Sequence, residues 1–175
     1  MTILIIILIV IGGIVGYRRG GILQFLHFFG TLSAIIIARL NYKQLGDRLD
    51  LIMPYPSSVS EVNNIVFDDI ANLEQAYYYI SAFLIIFIVS KIIIQIVISV
   101  FDYINQIIFD RKTSKIVGTV LGIIECLYIL AIVLFFIGTV PSTTLQQMVG
   151  NSSLATFIID HTLFISGKLK DWSQI

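Results

Sequence analysis

Charged residues are scarce in this 175-residue chain: Asp, Glu, Lys and Arg make up 13% of it, whereas soluble domains contain about 25%. Eleven Lys and Arg balance eleven Asp and Glu, so the formal net charge is zero. The chain therefore has no overall positive charge to bind the phosphates of a nucleic acid, and we expect no nucleic-acid partner. The single cysteine, Cys126, excludes a disulfide within the chain and a thiolate metal cluster.

Motifs of catalysis and cofactor binding are also missing from the sequence. It contains no glycine-rich phosphate loop, no zinc-ligand spacing and no G-x-S-x-G nucleophile motif. His27 and His161 lie far apart in the sequence, and Cys126 stands in an apolar run, where a cysteine is usually a small packing residue. We expect a protein that is not an enzyme and has no catalytic residue, cofactor or metal.

Long apolar runs are what the chain does contain: hydrophobic residues make up 57% and the mean hydropathy is +0.95. A helix rises about 1.5 Å per residue, so about 17–25 apolar residues cross the hydrocarbon core of a bilayer. The sequence therefore predicts a single all-α membrane domain over residues 1–175 in contact with the lipid bilayer, with spans at about 2–17, 22–38, 79–101 and 116–137. The first run could instead be a signal peptide, but its charges, Arg18 and Arg19, follow the apolar residues, whereas those of a signal peptide precede them.

Two segments outside the spans also show helical periodicity. In the loop 39–78, a turn around Pro54 and Pro56 precedes apolar residues at helical spacing, namely Val62, Ile65, Val66, Ile70 and Leu73. In the tail 138–175, beyond Pro141, the corresponding residues are Leu154, Phe157, Ile158 and Leu163. We predict an amphipathic surface helix in each segment, lying on the membrane or covering the bundle.

The orientation follows from the density of Lys and Arg in the connecting segments. Segments 17–21 and 102–115 comprise 19 residues and contain five bases: Arg18, Arg19, Arg111, Lys112 and Lys115. Segments 39–78 and 138–175 comprise 78 residues and contain the same number of bases. Because Lys and Arg concentrate on the cytoplasmic side, we predict that both termini lie outside.

Small residues recur every four positions in three of the four spans. They are Gly12, Gly16 and Gly20 in the first, Gly30, Ala34 and Ala38 in the second, and Gly118 and Gly122 in the fourth. Such spacing lets membrane helices approach each other closely, since lipid removes the hydrophobic force between them. Packing within one chain and self-association between copies both satisfy this pattern.

Two charges stand inside predicted spans, Lys91 in the third and Glu125 in the fourth. A charge at the bilayer centre costs about 2.5–3.5 kcal/mol. Their predicted depths, roughly 15 and 13.5 Å from the inner end, allow them to meet. One hypothesis is a buried ion pair that fixes the register of the two helices. A second is a proton or solute path lined by the polar stripe of Lys91, Gln95, Ser99 and Asp102, with His27 as a titrating member. A third is that they do not touch and Lys91 extends toward the interface.

In order and spacing, these features resemble the colicin V production (CvpA) family of bacterial inner-membrane proteins. The resemblance rests on three segments: Gly16-Tyr17-Arg18-Arg19-Gly20 before a span with Gly30, Asp110-Arg111-Lys112 leading into Gly118-x-x-x-Gly122, and Pro141 followed by Ser152-Ser153-Leu154. Two positions depart from the family pattern. Thr2 stands where an Asp is common, and Glu125-Cys126 stand where a basic residue is common.

The resemblance implies a multi-pass protein of the bacterial cytoplasmic membrane that supports production or export of a colicin V-like toxin and envelope homeostasis. The resemblance brings no catalytic residue. For an accessory role of this kind we expect protein partners, or self-association through the small-residue helix faces. The residues themselves leave a competing hypothesis open, a small oligomeric transporter or channel with a polar path around Lys91.

Overall fold

The computed structural model describes residues 1–55, 73–100 and 111–162, and every regular element in these ranges is a helix. The helices are α1 (Thr2–Arg19), α2 (Gly21–Leu49), α3 (Leu73–Ser99), α4 (Arg111–Thr139), α5 (Thr143–Gly150) and α6 (Ser153–His161). The first four are long and apolar enough to cross a membrane. The predicted all-α architecture with four transmembrane helices is thereby confirmed.

The helices extend further than the predicted spans. α2 continues eleven residues beyond position 38, while α3 begins at Leu73 where the predicted span began at 79, and α4 begins at Arg111 where it began at 116. With 29 residues, α2 is about 44 Å long, more than the hydrocarbon thickness of about 30 Å. Apolar runs mark the part of a helix that lies in lipid, whereas backbone hydrogen bonding carries the helix into the interface. The predicted helix around Val62–Ile70 lies outside the described residues.

α1 and α4 pack backbone against backbone along their small residues. A Cβ added to Gly16 would strike the carbonyl of Gly118 and lie 3.0 Å from the Cα of Gly122, and one added to Gly12 would lie 2.7 Å from the Cβ of Cys126. A Cβ at Gly122 would in turn strike the carbonyl of Gly12. These two ladders are therefore used for packing within one chain.

The turn from α1 to α2 also depends on a glycine. Gly20 has φ 81°, in the left-handed region that a residue with a side chain rarely adopts. Its N–H donates to the carbonyl of Gly16 over 3.0 Å, and the N–H of Gly21 donates to Ser114 Oγ over 3.0 Å. The turn thus holds the end of α1 and the start of α2 against the first turns of α4.

The small residues of α2 face α3. A Cβ at Gly30 would lie 2.7 Å from Ile94 Cγ2 and 2.9 Å from Ile98 Cδ1, and Ala34 and Ala38 are fully buried. α2 packs mainly on α3 and also contacts α4, and α4 in turn packs mainly on α1. α2 and α4 therefore form the middle of the bundle, with α3 and α1 outside them.

The predicted tail helix is present as α6, and a further helix, α5, precedes it; Leu163 of the predicted apolar face lies outside the described residues. Both pack against α4, and α6 also contacts α1. Val149, Ala155, Ile158 and Ile159 are buried, while Phe157 is 58% exposed. The hydroxyls of Thr2 and Ser152 lie 2.9 Å apart, so the start of α6 meets the start of α1. The two short helices therefore cover the end of the bundle at which the chain begins.

We expect Gly16→Ala to destabilise the bundle by about 1–3 kcal/mol, because its new methyl group meets backbone that cannot move aside. Thermal unfolding in detergent micelles measures the effect. Gly13→Ala is the matched control: on the same helix, its Cβ would lie 3.3 Å from Ile123 Cγ1, a side-chain atom that can shift. Equal losses of stability in the two variants would show that the backbone contact is unimportant.

Candidate functional site

An ion pair joins α3 and α4 inside the bundle. Lys91 Nζ lies 2.5 Å from Glu125 Oε1, and the two side chains are 19% and 8% exposed. Glu125 is the midpoint of α4, fourteen residues from each end, which places it about 21 Å from either end along the helix axis. The carboxylate therefore lies where unpaired charge is most costly in a membrane.

Two side chains of α2 complete the surroundings of the carboxylate. Thr31 Oγ1 lies 2.6 Å from Glu125 Oε1 and also accepts a hydrogen bond of 2.5 Å from Lys91 Nζ. Gln24 Nε2 donates to the other oxygen, Oε2, over 2.5 Å. Both carboxylate oxygens thus receive donors, and the three helices α2, α3 and α4 meet at one group.

The network reaches the end of α1 through Arg19. Its Nη1 donates to Gln24 Oε1 over 3.4 Å, while the amide nitrogen of Gln24 donates to Glu125. Gln24 is 1% exposed, and its side-chain amide bridges the Arg19 guanidinium at the end of α1 and the Glu125 carboxylate in the middle of α4. Arg19, Gln24, Thr31, Lys91 and Glu125 together form the network that we call the charge network.

The spacing on α2 explains why Gln24 and Thr31 act together. They are seven residues apart, about two helical turns, so they lie on the same face. The Thr31 hydroxyl also lies 3.0 Å from the carbonyl of His27, and its one proton therefore has two acceptors within reach. Because it accepts from Lys91 at the same time, Thr31 joins the ammonium to the carboxylate.

A groove of about 300 Å³ lies beside the ion pair, between α1 and α3 and over α4. We call it the α1–α3 groove. Its polar lining consists of Arg19, Gln24, Lys91, Gln95 and Glu125. Its apolar lining consists of Leu8, Ile11, Val15, Ile129 and Leu130, with Gly12, Gly122 and Cys126 between the two sets.

The structure brings together only part of the predicted polar stripe, of which Asp102 lies outside the described residues. Lys91 and Gln95 both line the groove, but Ser99 is exposed and its hydroxyl donates to the carbonyl of Ile96 over 2.7 Å. His27 is 5% exposed and does not line the groove. Within the described residues, no group of three His, Cys, Asp or Glu side chains lies close enough to hold a metal ion.

Sequence reasoning missed the contributions of Arg19, Gln24 and Thr31 to this site. The sequence did contain a signal for Gln24 and Thr31: both are polar, and both lie on the same face of a mostly apolar span. Polar residues inside membrane helices usually face the bundle and pair with one another. Which of the other helices they meet depends on tertiary packing, which the spacing alone does not specify.

The fold and the buried ion pair define a multi-pass helical membrane protein. The chain belongs to the family described as Colicin V production protein, whose family model matches residues 1–163. The resemblance noted from the sequence is thereby confirmed. The "Uncharacterized transmembrane protein YshB" of Bacillus subtilis (strain 168) is 37% identical over 176 residues, covering 99% of this chain and 98% of that protein. No solved structure matches the chain.

If the ion pair stabilises the site, removing one of its two charges should lower the free energy of unfolding more than removing both. We expect Lys91→Met to cost about 3–5 kcal/mol, because it leaves the Glu125 carboxylate without its countercharge. The double variant Lys91→Met/Glu125→Met should recover part of this loss. Unfolding free energies in micelles test the pair, and a double variant no more stable than Lys91→Met would argue against it. Lys115→Met, which removes an ammonium 4.9 Å above the Tyr17 ring, controls for the loss of a lysine elsewhere.

The bridging hydroxyl can be tested by comparing Thr31, which is fully buried, with Thr119, which is partly exposed on α4. The hydroxyls of Thr31 and Thr119 each lie within hydrogen-bond distance of the carbonyl four residues earlier, at 3.0 and 2.9 Å, but only Thr31 contacts the ion pair. We expect Thr31→Val to cost about 1–3 kcal/mol, because Lys91 and Glu125 each lose a hydrogen-bond partner in a buried site. Thr119→Val should change the unfolding free energy much less. Equal effects would mean that the hydroxyl does not support the charge network.

Proposed function

We propose that this protein is an accessory component of the bacterial cytoplasmic membrane, without enzymatic activity, that supports production or export of a colicin V-like toxin and envelope homeostasis through protein partners. The family supports the biological setting. One structural observation carries the accessory role: both oxygens of the Glu125 carboxylate are bound by donors from other helices. Mutually satisfied charges hold a bundle in one arrangement, which is what a membrane scaffold requires.

The surface available to partners follows from the packing. The glycine ladders of α1 and α4 pack against each other, so association with a partner protein or a second copy uses other helix faces. α1 presents an apolar outer face that includes Ile3, Ile7 and Ile14, each at least half exposed. A partner helix in the bilayer would pack against such a face by shape and dispersion.

The proposed orientation places both termini outside the cytoplasm. Arg18, Arg19, Lys112 and Lys115 lie at the end of the bundle where α1 ends and α4 begins, whereas α5 and α6 lie at the opposite end. A cluster of bases next to membrane spans favours the cytoplasmic side. This assignment places α5 and α6 on the outer face.

A small transporter or channel is the second candidate, and one observation favours it. The α1–α3 groove exposes part of the Lys91 side chain and is lined by the amide of Gln95. Under this hypothesis the groove is hydrated, whereas under the accessory hypothesis water does not enter it.

Thiol accessibility distinguishes the two candidates, using Cys126→Ala as the background. With a water-soluble reagent in cells, we expect Gln95→Cys to remain unlabelled because the groove excludes water. Thr144→Cys, on the exposed side of α5, should label in intact cells, and Thr113→Cys only after permeabilisation. Labelling of Gln95→Cys would support the transporter. Labelling of Ser99→Cys alone would favour neither, because Ser99 ends its helix. Reversed behaviour of Thr144→Cys and Thr113→Cys would contradict the orientation.

Complementation tests the biological role directly. In a colicin V-secreting strain that lacks its own member of the family, we expect this chain to restore secretion of the toxin and resistance of the envelope to detergent. The folded double variant Lys91→Met/Glu125→Met should restore both, because the accessory role requires the arrangement of the helices, which the folded variant keeps, and no charged path between them. Failure of the natural chain would argue against the accessory role, and failure of the double variant alone would favour a polar transport path.

A further inference from the structure

One amide side chain of α3 is open to the outside of the bundle. Gln95 is partly exposed and lines the α1–α3 groove. Within residues 1–55, 73–100 and 111–162, its side-chain amide makes no hydrogen bond. Gln95 follows Lys91 by four residues, about 6 Å along the helix axis, and Lys91 pairs with Glu125 in the middle of α4. The amide therefore lies inside the hydrocarbon layer, where a polar group without a partner is costly.

Three hydroxyl side chains on the outside of the same spans are satisfied by their own helices. Ser33, Ser99 and Thr119 each donate to a backbone carbonyl three or four residues earlier, over 3.0, 2.7 and 2.9 Å. This local bond is typical of short hydroxyl side chains in helices. The Gln95 amide has two N–H donors and one carbonyl acceptor, and it makes no such bond. Its partner in the membrane therefore comes from outside the described part of the chain.

Gln95 belongs to a row of exposed residues on one face of α3. Ile92, Ile88 and Ile85 precede it at intervals of three, four and three residues, and Ser99 follows it after four. The three isoleucines are 55%, 46% and 42% exposed. Alternating intervals of three and four are those of the a and d positions in a left-handed coiled coil. We call this row the α3 seam; its 14 residue steps make it about 21 Å long.

A second copy of the chain presents the groups that the Gln95 amide lacks. Copies of one chain cross the membrane in the same direction, so a two-fold axis along the membrane normal places identical residues opposite each other at the same depth. Because an amide is both donor and acceptor, two Gln95 side chains can each donate to the carbonyl of the other. A single polar residue in an apolar heptad seam fixes the register and the number of helices.

We propose that two copies of the chain associate in parallel through the α3 seam, with their Gln95 amides hydrogen-bonded to each other across the two-fold axis. The isoleucines of the two seams pack by shape and dispersion, as apolar side chains do between helices in lipid. The outer face of α1 stays open to a partner protein. This inference goes beyond the proposed accessory function and does not depend on it.

Sedimentation equilibrium of the full chain in micelles tests the association. We expect the natural chain to form a dimer and Gln95→Leu to raise its dissociation constant about tenfold, because the reciprocal hydrogen bonds between the helices are lost. Gln95→Asn keeps a self-complementary amide and should weaken the dimer less than Gln95→Leu. Because Gln95 bonds no group of the described chain, the thermal unfolding temperature of the dissociated Gln95→Leu monomer should stay near that of the natural chain.

Three results of this experiment would overturn the proposal. A monomeric natural chain would mean that the amide meets a lipid or a different protein. An unchanged dissociation constant in Gln95→Leu would show that the amides do not pair. Equal weakening in Gln95→Leu and Gln95→Asn would show that the amide group is not what the dimer requires.

Cysteine cross-linking in membranes locates the interface, using Cys126→Ala as the background. Ile88→Cys and Ile92→Cys place a thiol on the α3 seam, whereas Ile93, which is 57% exposed, lies about 160° around the helix from Gln95. A disulfide requires Cβ atoms about 3.5–4.5 Å apart. We therefore expect mild oxidation to cross-link Ile88→Cys and Ile92→Cys but not Ile93→Cys. Equal cross-linking of all three would indicate random collisions, and cross-linking of Ile93→Cys alone, or of none, would place the contact elsewhere; each result would overturn the seam.

Discussion

A carboxylate at the midpoint of a membrane helix is the constraint on which the rest of the bundle depends. Glu125 lies about 21 Å from either end of α4, so water at the ends of the helix does not reach its carboxylate. Its charge is compensated by Lys91 from α3 and by neutral donors, Thr31 and Gln24, from α2. Because these donors come from two other helices, the positions of α2, α3 and α4 along the membrane normal are coupled. A shift of any one of them by a helical turn would separate donors from acceptor.

Close packing of the backbones lets these short polar contacts form. On one side, Gly16 and Gly118 bring α1 against α4, and on the other, Gly30 admits side chains of α3 into the surface of α2. Larger residues at these positions would push the helices apart by more than a hydrogen bond tolerates. The small residues and the charge network therefore support the same arrangement: the first sets the distance between helices, and the second sets their register.

Much of this fold can be predicted from local features of the sequence. Apolar length predicts the four membrane helices, and the four-residue spacing predicts close packing at Gly12, Gly16, Gly118 and Gly122. The sequence did not determine the helix ends, because hydrogen bonding continues beyond the apolar core. Depth along the helices placed Lys91 and Glu125 within reach of each other. The parts played by Gln24 and Thr31 depend on which helices are neighbours, and that is a property of the packed bundle.

We infer that Glu125 is an ionised carboxylate held by Lys91 in the interior of the membrane. Infrared difference spectroscopy between the natural chain and Glu125→Gln, reconstituted in lipid at neutral pH, measures this most directly. The account predicts that the natural chain contributes the paired stretching bands of an ionised carboxylate and no carbonyl band of a protonated acid. A protonated-acid band that disappears in Glu125→Gln would contradict the account.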